Sequence, residues 1–137
     1  MFGFNKDGLL GLSDKSVLVP TTVPFTELSS LKVLKVSCGF KHAVMLATPD
    51  DGKTCMIYAS GSNKRGQLGL DVLGEQINQF APIVADNETH QTIRGKILDV
   101  QCSWHNTLVI TQETCPSGES DLSGTLHCYI TGDNKYG

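Results

Sequence analysis

The first place in this sequence to look for side-chain chemistry is Cys38-Gly39-Phe40-Lys41-His42, where a titratable ring follows a glycine at a spacing of three. A Gly-x-x-His unit sets an imidazole behind a permissive backbone, an arrangement open to general base catalysis. The competing account is structural, and it is the stronger one. Gly39 at positive φ would let neighbouring backbones approach closely, and His42 would bond a backbone group that a tight turn leaves unpaired. Cys38 with His42, and Cys102 with His105, raise the question of zinc. Neither pair forms a CxxC, and no four ligands recur at a consistent spacing, as a closed zinc site requires. No nucleophile elbow, Walker loop, HExxH or catalytic carboxylate pair occurs, and the Gly61–Gly69 stretch lacks the strand-to-helix setting that cradles phosphate. The expectation is a chain with no catalytic residues, metal, cofactor or small-molecule substrate. Trp104 beside His105 has two readings, a contact for a partner or a ring buried between sheets, and the sequence leaves both open.

Composition narrows the classes further. Apolar residues make up 39% of the 137, enough for one modest core, and the formal charge is −3. That balance gives no electrostatic reason to expect nucleic acid or an anionic membrane. No run approaches the ~20 apolar residues of a membrane span, and the N-terminus lacks a signal-peptide layout. The five cysteines are an odd count, and Cys38, Cys55 and Cys128 fall in or beside apolar runs. Buried small hydrophobes in a reducing compartment fit this pattern better than a disulfide framework does. The Asn87-Glu88-Thr89 sequon reads as inert without a secretory signal.

These residues must be positioned by something, and the positioning elements repeat. Gly3, Gly8 and Gly11 lie 58 residues before Gly61, Gly66 and Gly69; Gly61 and Gly66 lie 71 before Gly132 and Gly137; Val36 and Cys38 lie 64 before Val100 and Cys102. Within each unit, short apolar runs read as buried strands: Leu31–Cys38, Ala43–Leu46 and Met56–Ala59, then Ile97–Cys102, Thr107–Thr111 and Leu126–Thr131. Pro49, Asp50, Asp51 and Gly52 signal a hairpin. Ser13–Ser30, with Pro20 and Pro24, reads as a linker, and Asp71–Gly95 as a connector with an outer strand around Phe80, Pro82, Ile83 and Val84. The longer hairpin connection, Gln112–Gly124, holds Pro116, Gly118 and Gly124 and has two readings, a loop where function is added and a drifted, solvated loop, of which the second is the stronger.

Val36–Leu46 satisfies a small-small-Gly-x-x-His-small-apolar pattern at every position, and GSNKRGQLGL fits Gly-x-Asn-x-x-Gly-Gln-Leu-Gly. In these residues the chain resembles the repeat of the regulator of chromosome condensation family. The resemblance implies an all-β fold: about two antiparallel blades of a seven-bladed β-propeller, with a turn motif at 3–12, a repeat unit at 31–70, a connector at 71–95 and a degenerate unit at 96–137. The chain begins and stops inside the same motif, which suggests a piece of the ring. Cys38, Gly39, His42, Gly61, Asn63, Gly66, Gln67 and Gly69 become motif residues with structural roles, and Asn5, Asn63 and Asn134 are expected to bond their own turns. The second unit departs from the pattern, with Ser103 for the glycine and Asn106 for the histidine. Function, on this resemblance, is protein interaction without catalysis, in the cytoplasm or nucleus. FGFN, KVSCGFKHAVML, ILDVQC and CSWHNTLVI are similar to the N-terminal repeats of the branch that includes the fungal α-tubulin suppressor. That implies a small zinc-bearing partner serving diphthamide synthesis and Elongator-dependent modification of wobble uridines. The alternative is guanine-nucleotide exchange on a Ran-type small GTPase.

Overall fold

The structure is a computed structural model and describes residues 1, 3–13, 15–23, 31–49, 52, 55–70, 76–83, 93, 95–113, 124–133 and 135. Among these the regular elements are strands: β1 (Gly3–Phe4), β2 (Ser16–Val17), β3 (Leu31–Cys38), β4 (His42–Pro49), β5 (Met56–Ser62), β6 (Gln76–Pro82), β7 (Lys96–Cys102), β8 (Asn106–Gln112) and β9 (Leu126–Gly132). They form three antiparallel sheets, β1-β2, β3-β4-β5-β6 and β7-β8-β9, each built from strands adjacent in sequence. The two larger sheets are neighbouring blades of a propeller, and the small one is the end of a blade packed before them.

Strand composition follows position. His42–Thr48 of β4 is buried throughout: β4 lies between β3 and β5 in its sheet and packs against β7 of the second blade. In β8, Thr107, Val109 and Thr111 turn towards the first blade and are buried, while the residues between them are half-buried. One core therefore serves both blades: Val44, Leu46, Ile57, Ala59 and Leu68 from the first meet Val100 and Val109 from the second. A second cluster, Met45, Ala47 and Tyr58 with Leu31 and Phe80, forms on the opposite face. The innermost strands also carry matching bulges. Pairing skips at Leu34 in β3 and at Leu98 in β7, residues 64 apart, which adds twist at the same point in each blade.

Several sequence expectations shift. The outer strand β6 runs over Gln76–Pro82, starting earlier than Phe80, and Pro82 sits on it opposite Tyr58 without disturbing a central ladder. Val84 lies outside the described residues. Within the expected linker, Ser16–Val17 is a strand, and Gly3↔Val17 repeats the pairing of Gly61↔Ile77. The hairpin after β4 is closed by the Gly52 N–H on the Pro49 carbonyl at 2.9 Å; Asp50 and Asp51 lie outside the described residues, as do most of the connector and of the 112–124 loop, Pro116 and Gly118 included. Cys38 and Cys128 are exposed and Cys55 is half-buried, so the expectation of buried cysteines is corrected. Cys38 and Cys128 belong to strands at the margins of their sheets, where alternate side chains point away from the core. Cys115 and the Asn87 sequon lie outside the described residues.

Candidate protein-binding rim

The turn joining β3 to β4 brings Gly39 and His42 together, the Gly39 N–H donating to the His42 carbonyl at 2.8 Å. Gly39 is not in the left-handed region, which corrects the expectation of a positive φ. Its requirement is space. A Cβ there would run into the His42 ring, 2.6 Å from Nδ1, and would sit 2.5 Å from the Ser103 carbonyl oxygen in the next blade. The positive φ belongs to Gly61, at +106°, where a Cβ would also sit 2.7 Å from the His42 Cα. Gly132, at +124°, repeats this against Asn106.

His42 is fully buried, and its Nε2 lies 3.0 Å from the Thr107 hydroxyl. That hydroxyl donates to the Gln67 carbonyl at 2.7 Å. Its one hydrogen is thereby used, so it accepts from His42, and the proton of the neutral ring is on Nε2. Nδ1 is then a bare buried acceptor without a hydrogen-bond partner. Burial lowers the His42 pKa to about 4; a backbone group of Asn106 pulls upward and His105 adds to the depression. A ring that stays neutral, sealed from solvent and tied to the next blade is a fastener. Its bond runs to a side chain across the seam, where the sequence suggested a backbone group of its own turn.

The glycine turn is the second fastener. The Asn63 side chain accepts from the Leu68 N–H at 3.0 Å and donates to the Leu70 carbonyl at 3.4 Å. The Gly66 and Gly69 N–H groups close successive turns on the carbonyls of Asn63 and Gly66 at 3.0 Å. Gln67 is buried and accepts from the Arg65 N–H at 2.9 Å, while Thr131 donates to the Gly66 carbonyl at 2.6 Å. Asn5 makes the corresponding bonds to the Leu10 N–H and the Leu12 carbonyl, and the Ser60 hydroxyl donates to the Leu9 carbonyl at 3.0 Å. Asn134 lies outside the described residues.

What the fasteners leave exposed is aromatic. Phe40 and Trp104 occupy equivalent turn positions and stack on one another, centroids 4.5 Å apart and planes 18° from parallel. The Phe40 N–H donates to the Trp104 carbonyl at 3.2 Å, and His105 stands edge-on to both rings. Trp104 is 65% exposed and Phe40 51%, so the tryptophan lies on the surface and not in the seam between blades. Phe40 is a site residue that sequence reasoning passed over as a variable position. Its signal was the 64-residue offset, which sets it opposite Trp104.

The same rim carries charge. Lys41 reaches Asp7 at 3.5 Å with its ammonium over the Phe40 ring, Arg65 pairs with Asp133, and the Asp133 N–H donates to the His105 carbonyl. Cys102 lies near Cys38 on the adjacent innermost strand. Its N–H donates to the Ser37 hydroxyl at 2.8 Å, and burial raises its thiol pKa against the opposing pull of Ser37 and Thr107. Among the described residues no three His, Cys, Asp or Glu side chains come together in a way that would hold a metal.

Comparison with known proteins places this geometry. The profile of the regulator of chromosome condensation (RCC1) repeat matches residues 1–46 and 56–110. The mouse RCC1-like G exchanging factor-like protein is 30% identical over 149 residues, covering 94% of this chain and 30% of the relative. The canine X-linked retinitis pigmentosa GTPase regulator is 45% identical over 71 residues, which cover 51% of this chain and 6% of that protein. Human probable E3 ubiquitin-protein ligase HERC6 is 29% identical, over 92% of the chain and 12% of its own length. The crystal structure of human WBSCR16 superposes with a TM-score of 0.62 at 26% identity, covering 81% of this chain and 26% of that one. The chain thus spans less than a third of these relatives. By its repeat profile and by the paired blades that profile describes, the chain belongs to the regulator of chromosome condensation (RCC1) repeat family.

Proposed function

We propose that this chain is a protein-binding segment of a propeller, without catalysis of its own, acting in the cytoplasm or nucleus, and that the rim bearing Phe40, Trp104 and His105 holds the partner. The exposed stacked pair carries the proposal: large, rigid aromatic area at the surface is the kind of group that dominates binding energy at protein interfaces. The finer form of the reading names the partner as a small zinc-bearing protein serving diphthamide synthesis and Elongator-dependent tRNA modification. It is supported by the resemblance of FGFN, KVSCGFKHAVML, ILDVQC and CSWHNTLVI to the fungal branch.

A second reading, guanine-nucleotide exchange on a Ran-type small GTPase, is favoured by the names of relatives, an exchanging-factor-like protein and a GTPase regulator. Calorimetric titration of the purified chain with the zinc-bearing protein, and with a panel of small GTPases, separates the two. A stoichiometric complex that Trp104→Ala weakens at least about tenfold is expected. Absence of a complex with either class overturns the proposal, and acceleration of labelled-nucleotide release at catalytic amounts establishes the second reading in its place.

A further inference from the structure

The chain is acidic overall, with a formal charge of −3, yet its aromatic rim is basic. The turns that make the rim hold Lys6, Lys41, Lys64, Arg65 and Lys135 against Asp7 and Asp133. Both carboxylates are neutralised, Asp7 by Lys41 and Asp133 by Arg65. Lys6 and Lys64 are exposed and have no ionic partner among the described residues. They occupy the same position of successive glycine turns, next to the asparagines that brace those turns. The Lys41–Asp7 bridge ties the first turn to Phe40, and the Arg65–Asp133 pair, with the Asp133–His105 bond, ties the second to Trp104. Ammonium groups with no ionic partner among the described residues therefore stand on the two turns tied to the stacked rings, Lys6 after β1 and Lys64 after β5.

From this we infer that the rim takes an acidic protein segment, its carboxylates on Lys6 and Lys64 and its apolar side chains on the Phe40–Trp104 stack. The inference rests on the protein-binding reading above and adds the partner's chemistry. A single-stranded nucleic acid also combines negative charge with flat apolar groups, but the geometry disfavours it. Phe40 and Trp104 each give one face to the other, so the stack offers no row of separate rings to successive bases, and a long polyanion would meet a chain of net negative charge beyond the rim. A short acidic segment needs only the local field.

Trp104 is the sole tryptophan, so its emission reports on the rim directly. The probes are a short synthetic peptide of Glu and Asp around a central Leu-Leu pair, the same peptide with Gln and Asn, and an oligodeoxythymidine of similar length. The acidic peptide should shift the emission saturably to shorter wavelength and bind more weakly as salt rises. Lys6→Glu with Lys64→Glu should weaken it about tenfold, with the far-ultraviolet spectrum unchanged. No shift, equal binding of the amide peptide, or preference for the oligonucleotide overturns the inference. If that happens while Trp104→Ala still breaks the complex with the protein partner, the charge argument alone falls; if both fail, the binding reading falls with it.

Discussion

His42 shows how a residue that reads as catalytic becomes structural once its neighbours are in place. Its Nε2–H is committed to Thr107 and its bare Nδ1 is sealed, so the folded chain resists protonation, and the pKa falls from the ordinary 6.5 to about 4. Between those values the unfolded chain binds a proton that the folded chain does not. Stability therefore rises with pH across this window; the contribution is full above about 6.5 and is lost as pH falls towards 4. Its size is on the order of 3 kcal/mol. Asp99, held below the ordinary carboxylate range by its hydrogen bond from Lys35 at 2.5 Å, loses its contribution only at lower pH and so leaves this window clear. Urea midpoints at pH 7 and pH 4.5 should differ clearly in the natural chain. In His42→Gln, which can still donate to Thr107 but does not titrate, the difference should shrink by most of that amount. Equal pH dependence in the two proteins would mean that His42 is solvated and does not fasten the blades.

At the scale of elements, the glycine turn is more than a connection, because it carries Leu68 into the core of the seam. Asn63 holds that turn by pairing the Leu68 N–H, a donor in a fully buried residue. Asn63→Ala leaves this donor unsatisfied, at a cost of about 1–3 kcal/mol. Amide exchange at Leu68 should accelerate well before that of β4. Protection unchanged at Leu68 would show that the turn is held by packing alone. This turn was legible in advance because its asparagine and glycines recur at fixed offsets, and β4 and β5 because strands buried on both faces must be continuously apolar. β6 was less legible: QINQFAP is an outer strand with few apolar residues to betray it, and β1 and β2 are too short to pattern. Gly39 and Phe40 were misread or missed for a common reason. The Ser103 carbonyl that crowds Gly39 and the Trp104 ring that stacks on Phe40 lie 64 residues away, so the local sequence holds only the His42 side of the crowding and none of the stack.

For the whole molecule, the two blades act as one object because the seam between them is its main core. Val36 and Val100 stand at equivalent positions of β3 and β7 and make a controlled comparison. Val100 is fully buried against the first blade, whereas Val36, with no described blade before it at that point, is 42% exposed. Removing the same atoms should therefore have unequal effects. Val100→Ala empties part of the shared core and should cost about 1–3 kcal/mol, while Val36→Ala should cost less than about 0.5. The cost at Val100 should appear as an earlier single transition and not as the loss of one blade, since Val44, Leu46 and Leu68 lose the same neighbour that Val109 loses. Thermal denaturation followed by far-ultraviolet absorption and by Trp104 emission tests this directly. Trp104 lies on the second blade and most of the buried strand residues on the first, so coincident curves for both variants mean that the seam couples the blades. A Val100→Ala chain whose tryptophan transition separates from its backbone transition would show two blades folding independently, and the fasteners at His42 and Asn63 would then order the rim without uniting the molecule.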